Sequence, residues 1–147
     1  MKMSTKGRYG LRAMLDIAIN SRGDIVNVKS IAERQNISES YLEQVFSILR
    51  KAAIVKSIKG AQGGYILADD PSNITVGQIL RTLEGNLNVV DIDNRDNKVN
   101  REEKCINEFV WNKINESIDQ VVDNISLEDL LHEYQKLKEN PSVMYYI

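Results

Sequence analysis

The sequence predicts a mainly α-helical fold, a winged helix-turn-helix followed by a long C-terminal dimerisation helix. Three observations support this prediction. A short helical segment, a brief turn and a longer amphipathic helix follow one another before residue 52. Two short strand-like segments then flank a glycine-rich turn. Further along the chain, apolar residues recur every three to four positions between residues 101 and 125, which is helical spacing.

The first helix is predicted to run from Ser4 to Asn20, with Ser4 or Thr5 as its cap. Tyr9 lies among basic residues near its start. The ring of Tyr9 either covers the core or presents its hydroxyl to a phosphate, and the sequence leaves both roles open. The apolar face of this helix consists of Leu11, Met14, Leu15 and Ala18, and its basic residues are Lys6, Arg8 and Arg12.

The next two helices form the predicted helix-turn-helix. The shorter one spans Val28 to Gln35 with Asn27 as its cap, and Ser38 can cap the longer one. The longer helix has an apolar stripe on one side and a short polar face ending in Arg50 and Lys51 on the other. Such a face suits the major groove of DNA. The apolar stripe comprises Leu42, Val45, Phe46 and Leu49.

A hairpin follows as the predicted wing. Its strands are Ile54–Ile58 and Gly64–Leu67, and Ile25-Val26 can add a short third strand. The glycines between the strands allow a tight turn, and Lys56 and Lys59 supply positive charge. This loop does not match a nucleotide-binding phosphate loop, because no Gly-Lys-Ser/Thr follows it.

Charge is distributed unevenly along the chain. Residues 1–67 carry 11 Lys and Arg against 5 Asp and Glu, a net charge of +6, whereas residues 68–147 carry 8 against 16, a net charge of −8. A basic surface attracts phosphate and an acidic one repels it. We therefore expect DNA contacts only in the first half. The predicted contacts are Lys6, Arg8, Tyr9, Ser38, Ser40, Tyr41, Glu43, Gln44, Ser47, Arg50, Lys51, Lys59, Gln62 and Gly63.

The second half begins with a turn at Asp69-Asp70-Pro71-Ser72-Asn73 and a helix from Thr75 to about Leu83. A polar loop, a long helix from Arg101 to about Asn124 and a last helix capped by Ser126 follow. The apolar side of the long helix has few later elements to cover it, so we expect a second subunit to cover it. That surface comprises Ile106, Val110, Ile114, Ile118 and Val121. The predicted regions are 1–83, the DNA-binding domain; 84–100, a loop; 101–125, the dimerisation helix; and 126–147, a helix and tail.

Several classes of protein do not fit this composition. No apolar run approaches the roughly 20 residues of a membrane span, and the N-terminus lacks the apolar core of a signal peptide, so we expect a cytoplasmic protein. A single cysteine, Cys105, excludes internal disulfides. We find no acid/base pair, nucleophile constellation or metal cluster, and the one histidine, His132, has no identifiable partner. We expect no enzyme activity, no cofactor and no bound metal.

Three motifs in the same order resemble the Rrf-two family of bacterial transcription regulators. They are Ser4-Thr5-Lys6-Gly7-Arg8-Tyr9-Gly10, then Ser40-Tyr41-Leu42-Glu43-Gln44, then Lys59-Gly60-Ala61-Gln62-Gly63-Gly64-Tyr65-Ile66-Leu67. The resemblance covers the chain to about Asn124. It implies a homodimer in which the long helix crosses to the partner and each winged domain reads half of a near-palindromic double-stranded DNA operator.

The chain departs from the iron–sulfur regulators of that family. Those proteins hold a cluster with three closely spaced cysteines and a histidine near the start of the long helix. Here only Cys105 is present, and Glu108 stands at the position that matches the histidine. One thiol and a carboxylate per chain are too few donors for such a cluster. Redox or metal sensing through Cys105 paired across a dimer remains an alternative.

The chain is more similar to the cysteine-metabolism repressors of Gram-positive bacteria, which lack the cluster. That similarity includes the tail, which ends in Tyr145, Tyr146 and Ile147. It implies cysteine synthase (O-acetylserine thiol-lyase) as a partner, with the terminal carboxylate captured by backbone N–H groups of the enzyme. A tail that folds back onto its own dimer is the other possibility. A further alternative is an interaction module that regulates an enzyme through this tail and no longer reads DNA.

Overall fold

The computed structural model describes residues 2–21, 24–93, 95 and 98–140. The elements are, in order, α1 (Thr5–Ser21), α2 (Val28–Gln35), α3 (Glu39–Lys51), β1 (Val55–Ile58), β2 (Gly64–Leu67), a 3₁₀ turn (Pro71–Asn73), α4 (Val76–Glu84), α5 (Arg101–Ile106), a π-helical segment (Asn107–Trp111), α6 (Asn112–Asp123) and α7 (Leu127–Glu139). The prediction of a mainly helical fold with a two-stranded wing is confirmed. None of the helices formed by the described residues has the length and apolar character needed to cross a lipid bilayer.

The helix-turn-helix is formed by α2 and α3, and both predicted caps are present. The Asn27 side chain accepts a hydrogen bond from Ser30 N at 2.8 Å, and Ser38 Oγ accepts one from Tyr41 N at 3.2 Å. Between the helices Asn36 has φ 54° and ψ 48°, a left-handed conformation that asparagine tolerates better than most residues. Local residue chemistry therefore defines the turn.

The wing is an antiparallel pair, β1 and β2, in which Val55 lies opposite Leu67 and Ile58 opposite Gly64. A single bridge joins Val26 to Tyr65, so the predicted third strand is confirmed at one residue. A Cβ on Gly64 would lie 2.3 Å from the carbonyl oxygen of Val26. The bridge therefore requires glycine at this position, because a backbone atom cannot move aside as a side-chain end can.

The main core joins the winged elements to the C-terminal helix. Phe46 is fully buried and stacks on Tyr65, with ring centroids 4.7 Å apart. Leu127, the first residue of α7, is also fully buried in this core. The predicted apolar stripe of α3 is confirmed, because Leu42, Val45, Phe46 and Leu49 are all buried. Burial of this stripe turns the opposite, polar face of α3 toward solvent.

A smaller core lies where the long helix meets α4. Val76, Leu80 and Leu87 are buried there, and Ile118 and Val122 pack against them from α6. The beginning of the predicted polar loop is attached to the long helix. The Asn115 side chain accepts a hydrogen bond from Val89 N at 2.8 Å and donates one to the Val90 carbonyl at 3.1 Å. The attachment of residues 87–90 therefore depends on the side-chain amide of Asn115 and on the burial of Leu87.

The predicted long helix extends through α5, the π-helical segment and α6, from residue 101 to residue 123. We call these three elements together the long helix. Asn100 caps its start by accepting a hydrogen bond from Glu103 N at 2.8 Å. At the π-helical segment the Asn112 N–H donates to the carbonyl of Asn107, five residues earlier. This wider turn rotates α5 relative to α6 but does not interrupt the helix.

Candidate nucleic-acid interface

A polar recess of about 540 Å³ lies between the N-terminal ends of α2 and α3 and the wing. Because the helix-turn-helix brings these helix ends together and the Val26–Tyr65 bridge holds the wing beside them, three sequence segments share one surface. Its lining includes Asn27 and Lys29 from α2 and its cap, Glu39 and Glu43 from α3, and Lys59, Gly60, Ala61 and Gly63 from the wing. Lys29 was not among the residues predicted from the sequence, since only the packing of α2 places it here.

The residues predicted to contact DNA fall into two groups by exposure. Ten are exposed, and these include the polar side chains of α3 and the lysine of the wing. Four are half-buried. The exposed ones are Lys6, Arg8, Ser38, Ser40, Glu43, Gln44, Arg50, Lys51, Lys59 and Gln62, and the half-buried ones are Tyr9, Tyr41, Ser47 and Gly63. Gly63 lies in a tight turn, where a Cβ would be 2.3 Å from the Ile58 carbonyl oxygen.

An aromatic and basic cluster joins α1 to α3. The rings of Tyr9 and Tyr41 meet edge to face, with centroids 6.0 Å apart. The Arg12 guanidinium lies 5.3 Å from the Tyr9 ring centroid, and its Nη2 donates a hydrogen bond to the Gln35 carbonyl at 2.6 Å. The ring of Tyr9 is therefore packed against α3, as the first of its two predicted roles requires. Its phosphate contact remains a prediction.

Tyr65 links the core to the charged side chains of α3. Burial raises the pKa of the Tyr65 phenol, and the Glu43 carboxylate raises it further. The Arg50 guanidinium acts in the opposite direction on the same pKa. Glu43 and Arg50 thus both act electrostatically on one buried phenol of the wing, and α3 and β2 share an electrostatic environment.

A buried carboxylate that the sequence analysis did not identify holds α2 on α1. Asp16 is 1% exposed and accepts hydrogen bonds from Arg34 Nη2 at 2.8 Å and Nε at 3.0 Å, which is a bidentate ion pair. Gln35 Nε2 donates to the same carboxylate at 2.8 Å, and Asn20 Nδ2 donates at 3.3 Å. Asp16 lies outside the apolar face predicted for this helix, so the pattern carried no signal of its burial; the buried side of α1 is turned toward Ala13 and Ile17, and Leu11 and Leu15 are only half-buried. The partners of Asp16 could not be identified from the sequence.

The N-terminus of α1 is capped from a distant helix. Glu84, at the end of α4, accepts hydrogen bonds from Gly7 N at 2.9 Å, Ser4 N at 3.1 Å and the Ser4 hydroxyl. A carboxylate there is favourable because the helix dipole is positive at its N-terminus. Because the Glu84 carboxylate already lies at this end of α1, we expect Lys6 and Arg8 to bind an anion through their side chains rather than through the helix amides.

The long helix presents apolar side chains to solvent. Phe109 is 65% exposed, Val121 59% and Ile106 47%, and Val110 and Ile114 are also exposed. Ile118 differs from the other residues predicted for dimerisation, because it is half-buried against the smaller core. An apolar groove of about 510 Å³ runs along α6, lined by Lys113, Ile114, Ser117, Ile118, Val121 and Val122.

Two predicted features stand apart from this surface. Cys105 is an exposed free cysteine on α5. The predicted docking residues Tyr145, Tyr146 and Ile147 lie outside the described residues.

Together, the helix-turn-helix, the wing beside it and the long helix define a winged helix-turn-helix protein of the kind found among transcriptional regulators. A sequence profile of the Rrf2 family, described as an iron-dependent transcriptional regulator, matches residues 3–133. The chain belongs to the Rrf2 family, and the resemblance drawn from its three motifs is confirmed.

Individual relatives agree with this assignment. The chain is 44% identical over 130 residues to the HTH-type transcriptional regulator CymR of Bacillus subtilis (strain 168), covering 88% of this chain and 89% of that protein. The structure of CymR (YrzC), described as the global cysteine regulator of B. subtilis, matches with a TM-score of 0.78 at 42% identity, covering 90% of this chain and 98% of that one. The structure of T. potens IscR matches with a TM-score of 0.72 at 47% identity, covering 91% and 88%.

The description of the family names iron, so we compared the available donors with an iron site. Among the residues that the structure describes, no group of three or more His, Cys, Asp and Glu side chains is arranged to hold a metal ion. The chain has one thiol, Cys105, and it is exposed on α5. Cluster ligation by thiolates requires several such donors. These residues do not fit an iron–sulfur site of the usual kind.

Proposed function

We propose that this protein is a homodimeric repressor that binds operator DNA and controls genes of cysteine or sulfur metabolism. The observation that carries the proposal is the shared recess, in which the exposed N-terminal part of α3 lies beside the basic tip of the wing. A helix with a solvated polar face and an adjacent basic hairpin match the shapes of a major groove and the groove next to it.

In this proposal, base edges are read by exposed side chains of α3. Gln44 pairs with adenine, Glu43 accepts from cytosine and Ser40 contacts either, according to the donors and acceptors each carries. Lys59 enters the neighbouring minor groove from the wing. The side chains that bind phosphates and set the register come from the basic start of α1 and the end of α3; they are Lys6, Arg8, Arg50 and Lys51.

The homodimer is proposed from the exposed apolar side chains of the long helix. Large contiguous apolar patches are uncommon on monomeric soluble proteins and indicate interaction surfaces. Among the described residues, the most exposed large apolar side chains are Phe109, at 65%, and Val121, at 59%. A second copy of the same helix supplies a complementary apolar surface through twofold symmetry, with the groove along α6 as its centre.

The assignment to cysteine metabolism rests on similarity to CymR, described as the global cysteine regulator of B. subtilis. The proposed partner is cysteine synthase, bound through Tyr145, Tyr146 and the carboxylate of Ile147. Backbone N–H groups that receive an amino-acid carboxylate can also receive a chain terminus. This part of the proposal rests on the sequence of the tail, which lies outside the described residues.

The proposal for DNA binding is tested by selection from a library of random duplexes, followed by gel-shift titration of the enriched sequence. We expect a near-palindrome bound by two chains, and wild-type protein that enriches no sequence would contradict the proposal. The partner is tested separately by pull-down of purified cysteine synthase with the intact chain and with residues 145–147 deleted. We expect binding only to the intact chain, with DNA affinity unaltered by the deletion. Equal retention by both chains would overturn the docking role.

A further inference from the structure

Near its C-terminal end the long helix is hydrogen-bonded to α4, and the segment that follows it is hydrogen-bonded to the start of α4. An isolated bridge pairs Thr75 with Ser126, and Val76 N donates to the Ile125 carbonyl at 2.8 Å. Leu127 N donates to the Ile74 carbonyl at 2.9 Å. The start of α4 is therefore attached to the segment that connects α6 and α7. In the first half of the long helix, by contrast, Ile106 and Phe109 are exposed.

We call the contact between α4 and the C-terminal end of α6 the joint. At the joint the two helices approach each other closely at Gly77. A Cβ on Gly77 would lie 2.1 Å from Asp123 Oδ1 and 3.1 Å from Val122 Cγ2. The absence of a side chain on α4 at this point lets α6 pack directly against its backbone. Close approach places the charged groups of both helices within direct hydrogen-bonding reach.

Arg81 forms three hydrogen bonds across this joint. Its Nη1 donates to Asp123 Oδ1 at 2.6 Å, and its Nη2 donates to Asp119 Oδ1 at 2.7 Å and to Asp123 Oδ2 at 3.1 Å. The two carboxylates lie one turn apart on α6, so a single planar guanidinium bridges both. Hydrogen bonds to Asp123 and then to Asp119 raise the pKa of Arg81, and the Arg81 contact lowers the pKa of Asp123. A fork of this kind restricts rotation as well as distance.

The same turn of α4 also holds the DNA-facing end of α1. Glu84, three residues after Arg81, caps α1 through Gly7 N at 2.9 Å. One short helix therefore connects α6 on one side to the basic start of α1 on the other. The orientation of the long helix and the orientation of the proposed DNA-binding surface are set by neighbouring residues.

We propose that Arg81 is a specificity-determining residue that sets the spacing between the two half-sites the homodimer accepts. This inference rests on the proposed function. If the long helices form the interface around the twofold axis of the dimer, a rigid joint holds each winged domain at one orientation to that axis. The two α3 helices then lie at a fixed separation. Adding one base pair displaces a half-site by about 3.4 Å and rotates it by about 34° around the duplex. A rigid joint cannot follow that displacement, whereas a loosened joint can.

The test uses the selected operator with its half-sites moved by one or two base pairs in either direction, and a duplex that carries a single half-site. For the wild-type homodimer we expect a one-base-pair change to weaken binding about tenfold, within the range of a mismatched base pair. For R81A we expect the same one-base-pair change to weaken binding by only about threefold or less. The affinity for the single half-site should stay within about twofold of wild type. R81K, which keeps the charge but loses the fork, should fall between them.

The matched control is R95A, because Arg95 is 93% exposed and forms its ion pair with Asp93, two residues away. It should keep the wild-type spacing profile. Distances measured by pulsed electron paramagnetic resonance between spin labels at A61C, in a C105S background, provide a readout without DNA. We expect the distribution across the dimer to broaden in R81A and not in R95A. If R81A does not fold, R81K and D123A are measured in the same two assays.

The outcomes are distinct. A wild-type protein that selects no symmetric DNA would overturn the proposed function and the role of Arg81 with it. A wild-type protein with a sharp spacing preference that R81A, R81K and D123A all retain would overturn the inference alone. An R81A variant that loses half-site affinity as much as operator affinity would also overturn it, since Arg81 would then serve general stability and not spacing.

Discussion

The carboxylate of Asp16 on α1 and the guanidinium of Arg34 on α2 form a bidentate ion pair, with Nη2 to Oδ1 at 2.8 Å. Asp16 is 1% exposed, and the Arg34 side chain is 40% exposed. The hydrogen bond to Asp16 is the main cause that raises the pKa of Arg34. Because only residues 36–38 separate α2 from α3, this pair also influences where α3 lies.

Replacing Asp16 should destabilise the fold. D16A leaves the inward donors of Arg34 and Gln35 without their acceptor, and we expect a loss of about 2–3 kcal/mol in the free energy of unfolding. The value lies at the low end for buried pairs because Arg34 reaches solvent. Urea denaturation followed by circular dichroism measures it. R95A, which breaks an exposed pair, should cost less than about 0.5 kcal/mol. A D16A variant as stable as R95A would contradict this account.

Gln44 should contribute to sequence preference. Q44A removes a side chain that can form two hydrogen bonds with the major-groove edge of adenine, so we expect a loss of about 1–3 kcal/mol in binding free energy and relaxed preference at one base pair. Titration of the selected operator and its single-base variants measures both quantities. Q78A removes an exposed glutamine from α4 and should leave both unaltered. Unchanged base preference in Q44A would remove Gln44 from the proposed reading surface.

Lys59 should contribute to affinity without regard to sequence. K59A removes one positive charge from the tip of each wing, two per homodimer, so we expect weaker binding and a shallower dependence of log affinity on log salt concentration, with the slope reduced by about 1.8. Titrations at several salt concentrations provide the slope. K138A removes an exposed lysine near the end of α7 and should leave the slope as it is. The same slope in K59A and wild type would exclude wing contact with the duplex.

The cap of α7 should titrate at low pH. Ser126 N donates to Asp129 Oδ2 at 2.9 Å, and this contact, with the Ser126 side chain, lowers the pKa of Asp129. Stability from the cap is therefore present above the unfolded pKa of about 3.9 and is lost as the pH falls through the lower folded pKa. Carbon-detected NMR titration should place Asp129 at a higher pKa in S126A than in wild type. S72A, which deletes a hydroxyl that donates to Asp70 and not to Asp129, should not move it, and an unmoved Asp129 in S126A would refute the assignment.

Much of the fold was predictable because its determinants are local. The bounds of α2 and the caps at Asn27 and Ser38 depend on residues within four positions of one another. The buried stripe of α3 follows from helical periodicity alone. The exposed polar residues of α3 were predictable for the same reason, since they are the complement of that stripe.

Contacts between distant elements were not predictable in this way. Two examples are the contact between Glu84 and Gly7, 77 residues apart, and the contact between Arg81 and Asp123, 42 residues apart. No pattern in the sequence indicates either pairing. Each depends on the angle and distance at which two helices pack. Polar side chains on helix surfaces are also expected to be solvated, so their type alone does not distinguish a joint from an ordinary surface.

The sequence by itself determined that a winged helix-turn-helix with a long helix would form, because caps, periodicity and glycine positions act within a few residues. It also determined the family, through three motifs in a fixed order. The tertiary structure decided which side chains work together. It placed Lys29 and Lys59 on the lining of one recess, buried Asp16 in an ion pair with Arg34 and paired Arg81 with two carboxylates of α6. Those pairings arise only when helices pack, since their geometry is set by the shared core and not by the residues themselves.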